Sequence, residues 1–208
     1  MNKVRSSAAI LTILVTMSGC FSRPPGEYHY YVLDYVPATS SARLAQGPWK
    51  RRILVRNFPM GEAYLRPELV YRTSTHEIQY HWRDRWAMRP EQVVSDMVRR
   101  HVSDARLFLS VQTQYEEDKP DYELRGRVVS LEEYMTESAR YAHLDLRMDF
   151  LRKSDGAILW SQEFDLRRKL EGDSTVLVVR ALSTLLEASV DRTLGAIDSV
   201  MRMETAGP

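Results

Sequence analysis

Between residues 142 and 150 the chain alternates with a period of two. Ala142, Leu144, Leu146, Met148 and Phe150 are apolar, while His143, Asp145, Arg147 and Asp149 are polar. That pattern predicts a half-buried strand, one face on a core and one in water. Beyond a polar stretch, Ile158, Trp160, Phe164, Leu166 and Leu170 again take even positions, with Gln162 and Arg168 as exceptions. For even to pair with even across an antiparallel ladder, the loop must hold an odd number of residues. Ser154-Asp155-Gly156 fits as a three-residue loop, a type I turn closed by glycine in the left-handed region. Phe150 then faces Trp160 and Leu146 faces Phe164, whereas a two-residue Asp-Gly loop would set Phe150 against Ser161.

Upstream, Tyr122, Leu124, Gly126 and Val128 alternate with Glu123, Arg125 and Arg127, which predicts a third strand. Glu132-Glu133 and Thr136-Glu137-Ser138 mark the turn into the hairpin. Tyr28–Tyr35 and Arg52–Asn57 are β-branched and aromatic runs suited to strands. The first lacks a polar face and is expected mid-sheet; Glu77–Trp82 reads as a short strand near the sheet edge. Two helices follow from a different period. Val94, Met97, Val98, His101, Val102 and Ala105 recur at helical spacing behind Pro90, which suits a first turn. Val179, Leu182, Leu186, Val190, Ile197 and Met201 form a second stripe, starting near the capping candidates Asp173-Ser174. It is expected to lie across the apolar face of the sheet. The fold class predicted is α+β: one domain over 28–201, a mixed or antiparallel sheet with a three-strand C-terminal meander, packed by two main helices. Residues 202–208 are expected to form a flexible tail.

The first nineteen residues follow another logic. Lys3 and Arg5 precede an apolar stretch from Ala8 to Val15, within the ~7–15 residues of an export signal's apolar region. It is well short of the ~20 residues that span a bilayer. Met17-Ser18-Gly19-Cys20 follows and resembles a lipobox, in which the cysteine is acylated and becomes the new N-terminus. The competing reading is an ordinary secretory signal with a structural cysteine. Cys20 is the single cysteine of the 208 residues, so an exported product would hold together without internal disulfides. Phe21, rather than Asp, favours delivery to the outer membrane by the usual sorting pattern of lipoproteins. Residues 20–27 are the lipidated cysteine and a short Pro-Pro-Gly tether. Its seven residues after Cys20 reach about 2.5 nanometres at most, at ~3.3–3.6 Å each.

Composition narrows function mainly by exclusion. The 29 basic and 28 acidic residues are mixed along the chain, and 44% of residues are apolar. No basic stripe argues for nucleic acid. The histidines His29, His76, His81, His101 and His143 form no His-Glu-x-x-His or comparable ligand pair, so no metal is expected. Asp145 and Asp149 on one strand face lie roughly 13 Å apart, beyond the ~5–9.5 Å of glycosidase pairs. Together with Arg147 they read as a solvated ladder. There is no Gly-x-Ser-x-Gly elbow and no phosphate-binding Gly-x-x-x-x-Gly-Lys loop. Neither a catalytic residue nor a cofactor is expected. Tyr64, Leu65, Arg66, Pro67, Trp82 and Trp86 are candidates for a partner interface, because Tyr, Trp and Arg are enriched at binding hot spots. The alternative is that Trp86 anchors the core at the helix entrance and Tyr64 caps a loop.

The order of motifs resembles a known family. Tyr28-His-Tyr-Tyr-Val-Leu33, Ile53-Leu-Val-Arg56, Tyr64-Leu-Arg-Pro-Glu-Leu-Val-Tyr-Arg72, Ile78-Gln-Tyr-His81 and Arg85-Trp-Ala87 precede the first helix. Asp121-Tyr-Glu-Leu-Arg-Gly126 and the hairpin ending in Asp155-Gly156 follow it. This is similar to the ABC-type transport auxiliary lipoproteins, which include the lipoprotein subunit of the paraquat-inducible Pqi systems. The resemblance covers nearly the whole chain after Cys20, and its specificity lies in order and spacing. It implies a non-enzymatic outer-membrane lipoprotein facing the periplasm, partnered with a periplasmic MCE-domain protein, a permease and an ATPase that together move lipid. It also implies homo-oligomers. The alternative is a binding module of another envelope machine, a cell-wall or outer-membrane assembly factor.

Overall fold

In chain order the elements are β1 (His29–Tyr31), β2 (Trp49–Val55), β3 (Glu68–Ser74), β4 (Glu77–Trp86) and α1 (Pro90–Asp104), then β5 (Phe108–Gln112), β6 (Tyr122–Met135), β7 (Arg140–Arg152), β8 (Ile158–Lys169) and α2 (Thr175–Ala206). They come from a computed structural model that describes residues 27–37, 48–114 and 118–206. The signal segment, Cys20 and the tether through residue 26 lie outside the described residues. All eight strands join one mixed sheet, in agreement with the α+β class and the β6-β7-β8 meander read from periodicity.

β6 organises the sheet. One edge pairs with β7 along its whole length. Its other edge is shared end to end: β2 runs parallel to residues 122–124, Met60 bridges to Val128, and β3 runs parallel to residues 132–134. The segment joining β2 to β3 must therefore cross where β6 is narrowest. Gly126 makes the crossing close, since a Cβ there would lie 2.2 Å from Phe58 Cε1 and 2.5 Å from Arg147 O. Phe58 is fully buried, and its N–H donates to Ser95 Oγ of α1 at 2.9 Å.

The hairpin register agrees with the parity argument: Phe150 pairs with Trp160 and Leu146 with Phe164. The turn itself differs from the three-residue expectation. Arg152 N–H donates to Ala157 O at 2.9 Å and Gly156 N–H to Arg152 O at 3.0 Å, which closes a four-residue loop, Lys153 to Gly156. The register shifts between Phe150–Trp160 and Leu151–Ile158, so the odd residue is Leu159, in a bulge. Gly156 has φ 72°, the left-handed position expected for it.

α2 lies across β7 and β8 with Val179, Leu182, Leu186, Val190, Ile197 and Met201 all buried, and Thr193 Oγ1 is 3.2 Å from Met148 Sδ. Burying such side chains contributes ~1.5–3 kcal/mol each. A helix cap such as Ser174, whose Oγ accepts from Val176 N–H at 3.3 Å, is worth ~1 kcal/mol. Burial, not capping, holds this helix. α1 buries Val93, Val94, Met97, Val98 and Val102. His101 Nδ1 meets Tyr35 Oη at 3.1 Å and its Nε2 lies 3.4 Å from Asp191, tying α1 to the N-terminal segment and to α2.

Several expectations need correction. β1 is a three-residue strand ending the sheet order, not a mid-sheet strand, because Tyr28 and Tyr30 are exposed and only Leu33 and Tyr35 turn into the core. β4 runs ten residues, longer than the expected Glu77–Trp82, but it does lie near the sheet edge, since β1 covers only its residues 84–86. β3 and β5 were not legible from periodicity. α2 continues to Ala206, beyond the expected start of a tail. Glu132 and Glu133 belong to β6, and the turn falls at 136–139, where Thr136 N–H donates to Ala139 O at 2.8 Å.

Candidate functional site

Two adjacent carboxylates in a strand point to opposite faces. A polar pair deep in β6 therefore has to be satisfied on both sides of the sheet. A register shift between Val128 and Ser130 sets which goes where: Val128 pairs with Leu146, but Leu131 pairs with Leu144. Past the bulge the odd residues of β6 face α2 and the even ones face away. Glu132 and Glu133 are 2% and 1% exposed, and burying unpaired charge would be prohibitive. Each is the centre of a network.

On the face away from α2, Glu132 accepts from Tyr64 Oη at 2.6 Å and from Arg72 Nε at 3.2 Å, and His143 Nδ1 lies 3.1 Å away. The other ring nitrogen of His143 is 2.9 Å from Asp165. Burial alone would lower the pKa of His143, but the bonds to Glu132 and Asp165 outweigh it and raise it from 6.5. Burial likewise pushes Glu132 up, and its partners His143, Tyr64 and Arg72 bring it below 4.5. Both carboxylates favour the protonated imidazole over the neutral one.

Facing α2, Glu133 is bonded by Arg140, and His81 Nε2 lies 3.1 Å away. Arg140 also donates to Gly172 O and Asp173 Oδ1, both at 3.2 Å, just before α2 begins. Next to this group Asp84 accepts from Tyr31 Oη at 2.9 Å and Thr175 Oγ1 at 3.1 Å, and His29 Nδ1 is 3.1 Å away. β1, β4 and the start of α2 are pinned together by that carboxylate.

Both networks fix structure around an exposed surface instead of presenting a reactive atom to a cavity. A cavity of about 790 Å³ lies at the other end of the sheet, lined by Arg51, Lys119, Asp121, Tyr122, Arg152 and Glu204 among others. Several of its charges are paired: Arg152 bonds Asp155 and Glu204, and Arg51 Nη1 is 3.4 Å from Asp121. Burial, then the bond to Glu204, pushes Tyr122 up to about 12. No group of three or more His, Cys, Asp or Glu side chains among the described residues is arranged to hold a metal ion. On the outer face of the meander, Asp149 binds Arg147 at 3.1 Å, Arg125 at 3.4 Å and Ser161 at 2.6 Å. The solvated ladder expected of Asp145, Arg147 and Asp149 is thereby corrected: Asp149 is only 8% exposed and held by its partners, and Asp145 Oδ1 is buried without a hydrogen bond among the described residues.

The six candidate interface residues divide. Tyr64 is 6% exposed with its hydroxyl on Glu132, and Trp86 is 5% exposed with its backbone N–H on Pro67 O at 2.6 Å. Both are structural anchors and are corrected out of the interface. Leu65, Arg66 and Pro67 are exposed beside them, with the Arg66 guanidinium 4.5 Å from the Tyr80 ring centre. Trp82 is 64% exposed under the Arg83 guanidinium. It sits in a β4 bulge, where residues 81–84 oppose Leu69 alone. The residues missed from sequence are Arg72, Glu132, Glu133, Arg140 and His143. The signal available was the doubled glutamate, which an alternating strand cannot turn wholly to solvent.

Comparison with known proteins adds what geometry cannot. The family model described as ABC-type transport auxiliary lipoprotein component matches residues 31–192. The chain belongs to this family. No curated protein matches it in sequence. The structure of protein XCC0632 from Xanthomonas campestris is similar, with a TM-score of 0.74 at 19% identity, covering 86% of this chain and 99% of the other. A second similar structure, of an uncharacterized protein, has a TM-score of 0.65 at 14% identity over 82% of this chain and 99% of that one. At these identities the likeness concerns the fold alone. In this auxiliary lipoprotein the match runs from β1 into α2, so both carboxylate networks lie within the family's domain.

Proposed function

We propose that this auxiliary lipoprotein is the outer-membrane docking subunit of an MCE-type intermembrane lipid transport system. It is held by acyl chains on Cys20, faces the periplasm and acts by contact, without catalysis. The observation that carries the reading is the family match over 31–192, on a chain whose first twenty residues read as an export signal ending in a lipobox. Two or more acyl chains anchor stably where one is marginal. The exposed Leu65-Arg66-Pro67 loop, braced by Tyr64 on Glu132 and Arg72, is the surface assigned to the MCE-domain partner. A braced loop loses little entropy on binding.

The test is recovery of the lipidated protein from membranes, with mass spectrometry of everything that accompanies it. The expected companions are an MCE-domain protein, its permease and its ATPase. Recovery instead of cell-wall or outer-membrane assembly factors would replace this reading with that of another envelope machine. Leu65→Asp combined with Arg66→Glu is expected to reduce recovery of the MCE protein while leaving the acyl anchor in place.

A further inference from the structure

Twelve large apolar side chains are exposed among the described residues. Six of them surround one sheet edge: Tyr28, Tyr30, Val32, Trp82, Met88 and Val176, with exposures from 38% to 64%. β1 ends the sheet, paired in register with residues 84–86 of β4. Ala87 N–H donates to Tyr31 O at 2.8 Å, carrying Met88 to the end of that strand. The Thr175–Asp84 bond brings the first turn of α2, with Val176, to the same edge. Two cations are interleaved with the aromatics. Arg85 lies 4.0 Å from the Tyr28 ring centre and Arg83 4.0 Å from that of Trp82. Arg83 has no acidic partner among the described residues, whereas Arg85 also reaches Glu68 at 3.2 Å.

We infer that this β1–β4 edge rests on the headgroup layer of the membrane that holds the acyl chains. The inference depends on the anchoring of Cys20 proposed above. Given that anchor, the tether limits the distance: β1 starts nine residues after Cys20, so it begins within about three nanometres of the bilayer at ~3.3–3.6 Å per residue. Tyr and Trp favour the membrane interface, where an apolar ring meets a polar tip. Arginines between them match anionic phospholipid headgroups. The contact is shallow, because an open strand edge cannot enter hydrocarbon with its backbone groups unpaired. No helix among the described residues is long and apolar enough to cross a membrane.

The full-length lipidated protein, reconstituted into phosphatidylcholine vesicles with and without phosphatidylglycerol, gives the test. Tryptophan emission is read with phospholipids brominated near the headgroup end or near the chain end. The expected result is quenching by the shallow label alone, lost in Trp82→Phe and weakened in Arg83→Glu chiefly on vesicles containing phosphatidylglycerol. Trp82 is exposed, so neither variant disturbs the core. An acylated, vesicle-bound protein with equal quenching in wild type and Trp82→Phe overturns the inference and leaves the anchor standing. Shielding of Trp82 only when a protein partner is added also overturns it, by giving the edge to that protein. A mature protein whose intact mass shows no acyl chains overturns the anchor and, with it, this inference.

Discussion

Replacing Glu132 by glutamine keeps the shape of the side chain and removes its charge. The site leaves little room for that loss. Glu132 is 2% exposed and serves Tyr64, Arg72 and His143 at once. A glutamine amide presents one acceptor oxygen and turns an NH₂ toward at least one of these donors. Removing one member of a buried ion pair costs ~3–5 kcal/mol, because the partner charge is left stranded. Here the partners have some escape: the Arg72 side chain is 19% exposed and already donates to Thr75 O at 3.0 Å, and His143 keeps Asp165. The expected loss is therefore about 2–3 kcal/mol, below the usual range for a fully stranded charge. That is a large part of the ~5–15 kcal/mol by which domains are stable. Urea unfolding should show the midpoint falling by roughly 1–1.5 M at unchanged slope, for a slope of ~2 kcal/mol per molar. The ring of His143, followed by NMR, should titrate at lower pH once its buried counter-ion is gone. A stability change within ~0.5 kcal/mol, the size of an ordinary surface substitution, together with an unmoved His143 titration, would refute the account of this network.

Four further outcomes follow from the same contacts. Stability should depend on pH through both ends of the Glu132–His143 pair. The depressed Glu132 contributes above about pH 4.5 and loses its contribution as pH falls through its folded value; the raised His143 contributes fully below about 6.5 and loses its contribution as pH rises through its folded value. Wild-type stability should therefore peak between these limits relative to Glu132→Gln in a series of urea titrations, and parallel curves would contradict it. Gly126→Ala should cost about 1–3 kcal/mol or more by overpacking, since the new methyl meets both Phe58 and the backbone oxygen of Arg147; a calorimetric melting temperature close to wild type would show that the crossing is looser than described. Tyr64→Phe should destabilise by ~1.5–3 kcal/mol, the range for a hydrogen bond to a charged group, while Trp82→Ala should stay within ~0.5 kcal/mol; the reverse order in denaturation would undo the assignment of anchor and exposed residue. Gly156→Ala should cost ~1–2 kcal/mol for placing a Cβ at φ 72°, with nothing lost in packing because no atom lies within 4 Å of that Cβ.

Family membership and the two networks meet in one physical picture. The domain spends its buried charge on bracing a loop and an edge, and leaves its exposed aromatics at that edge. A subunit that acts by contact, as proposed above, needs surfaces held in fixed positions, and buried carboxylates with several donors supply that rigidity.

The sequence by itself determined whatever depends on residues near one another along the chain. Period-two alternation defined the faces of β6, β7 and β8, and parity set Phe150 against Trp160. The stripe from Val179 to Met201 defined the buried side of α2. These are properties of a repeating backbone, and each residue carries its own share of the signal. Tertiary structure alone decided the rest. β2 and β3 share one edge of β6, which no local pattern in Trp49–Ser74 announces, because parallel pairing leaves no turn in the sequence. One extra residue near Val129 reverses the faces of the last third of β6, so Glu132 and Glu133 pass from an apparent turn to the centres of two networks. Tyr64 and Trp86 look like interface residues by type, yet both are buried: the Tyr64 hydroxyl meets Glu132, 68 residues along the chain, and Trp86 pairs with Tyr31 of β1 while its N–H meets Pro67 O. A side chain's type says what it can bind; only the packing around it says whether a partner can reach it.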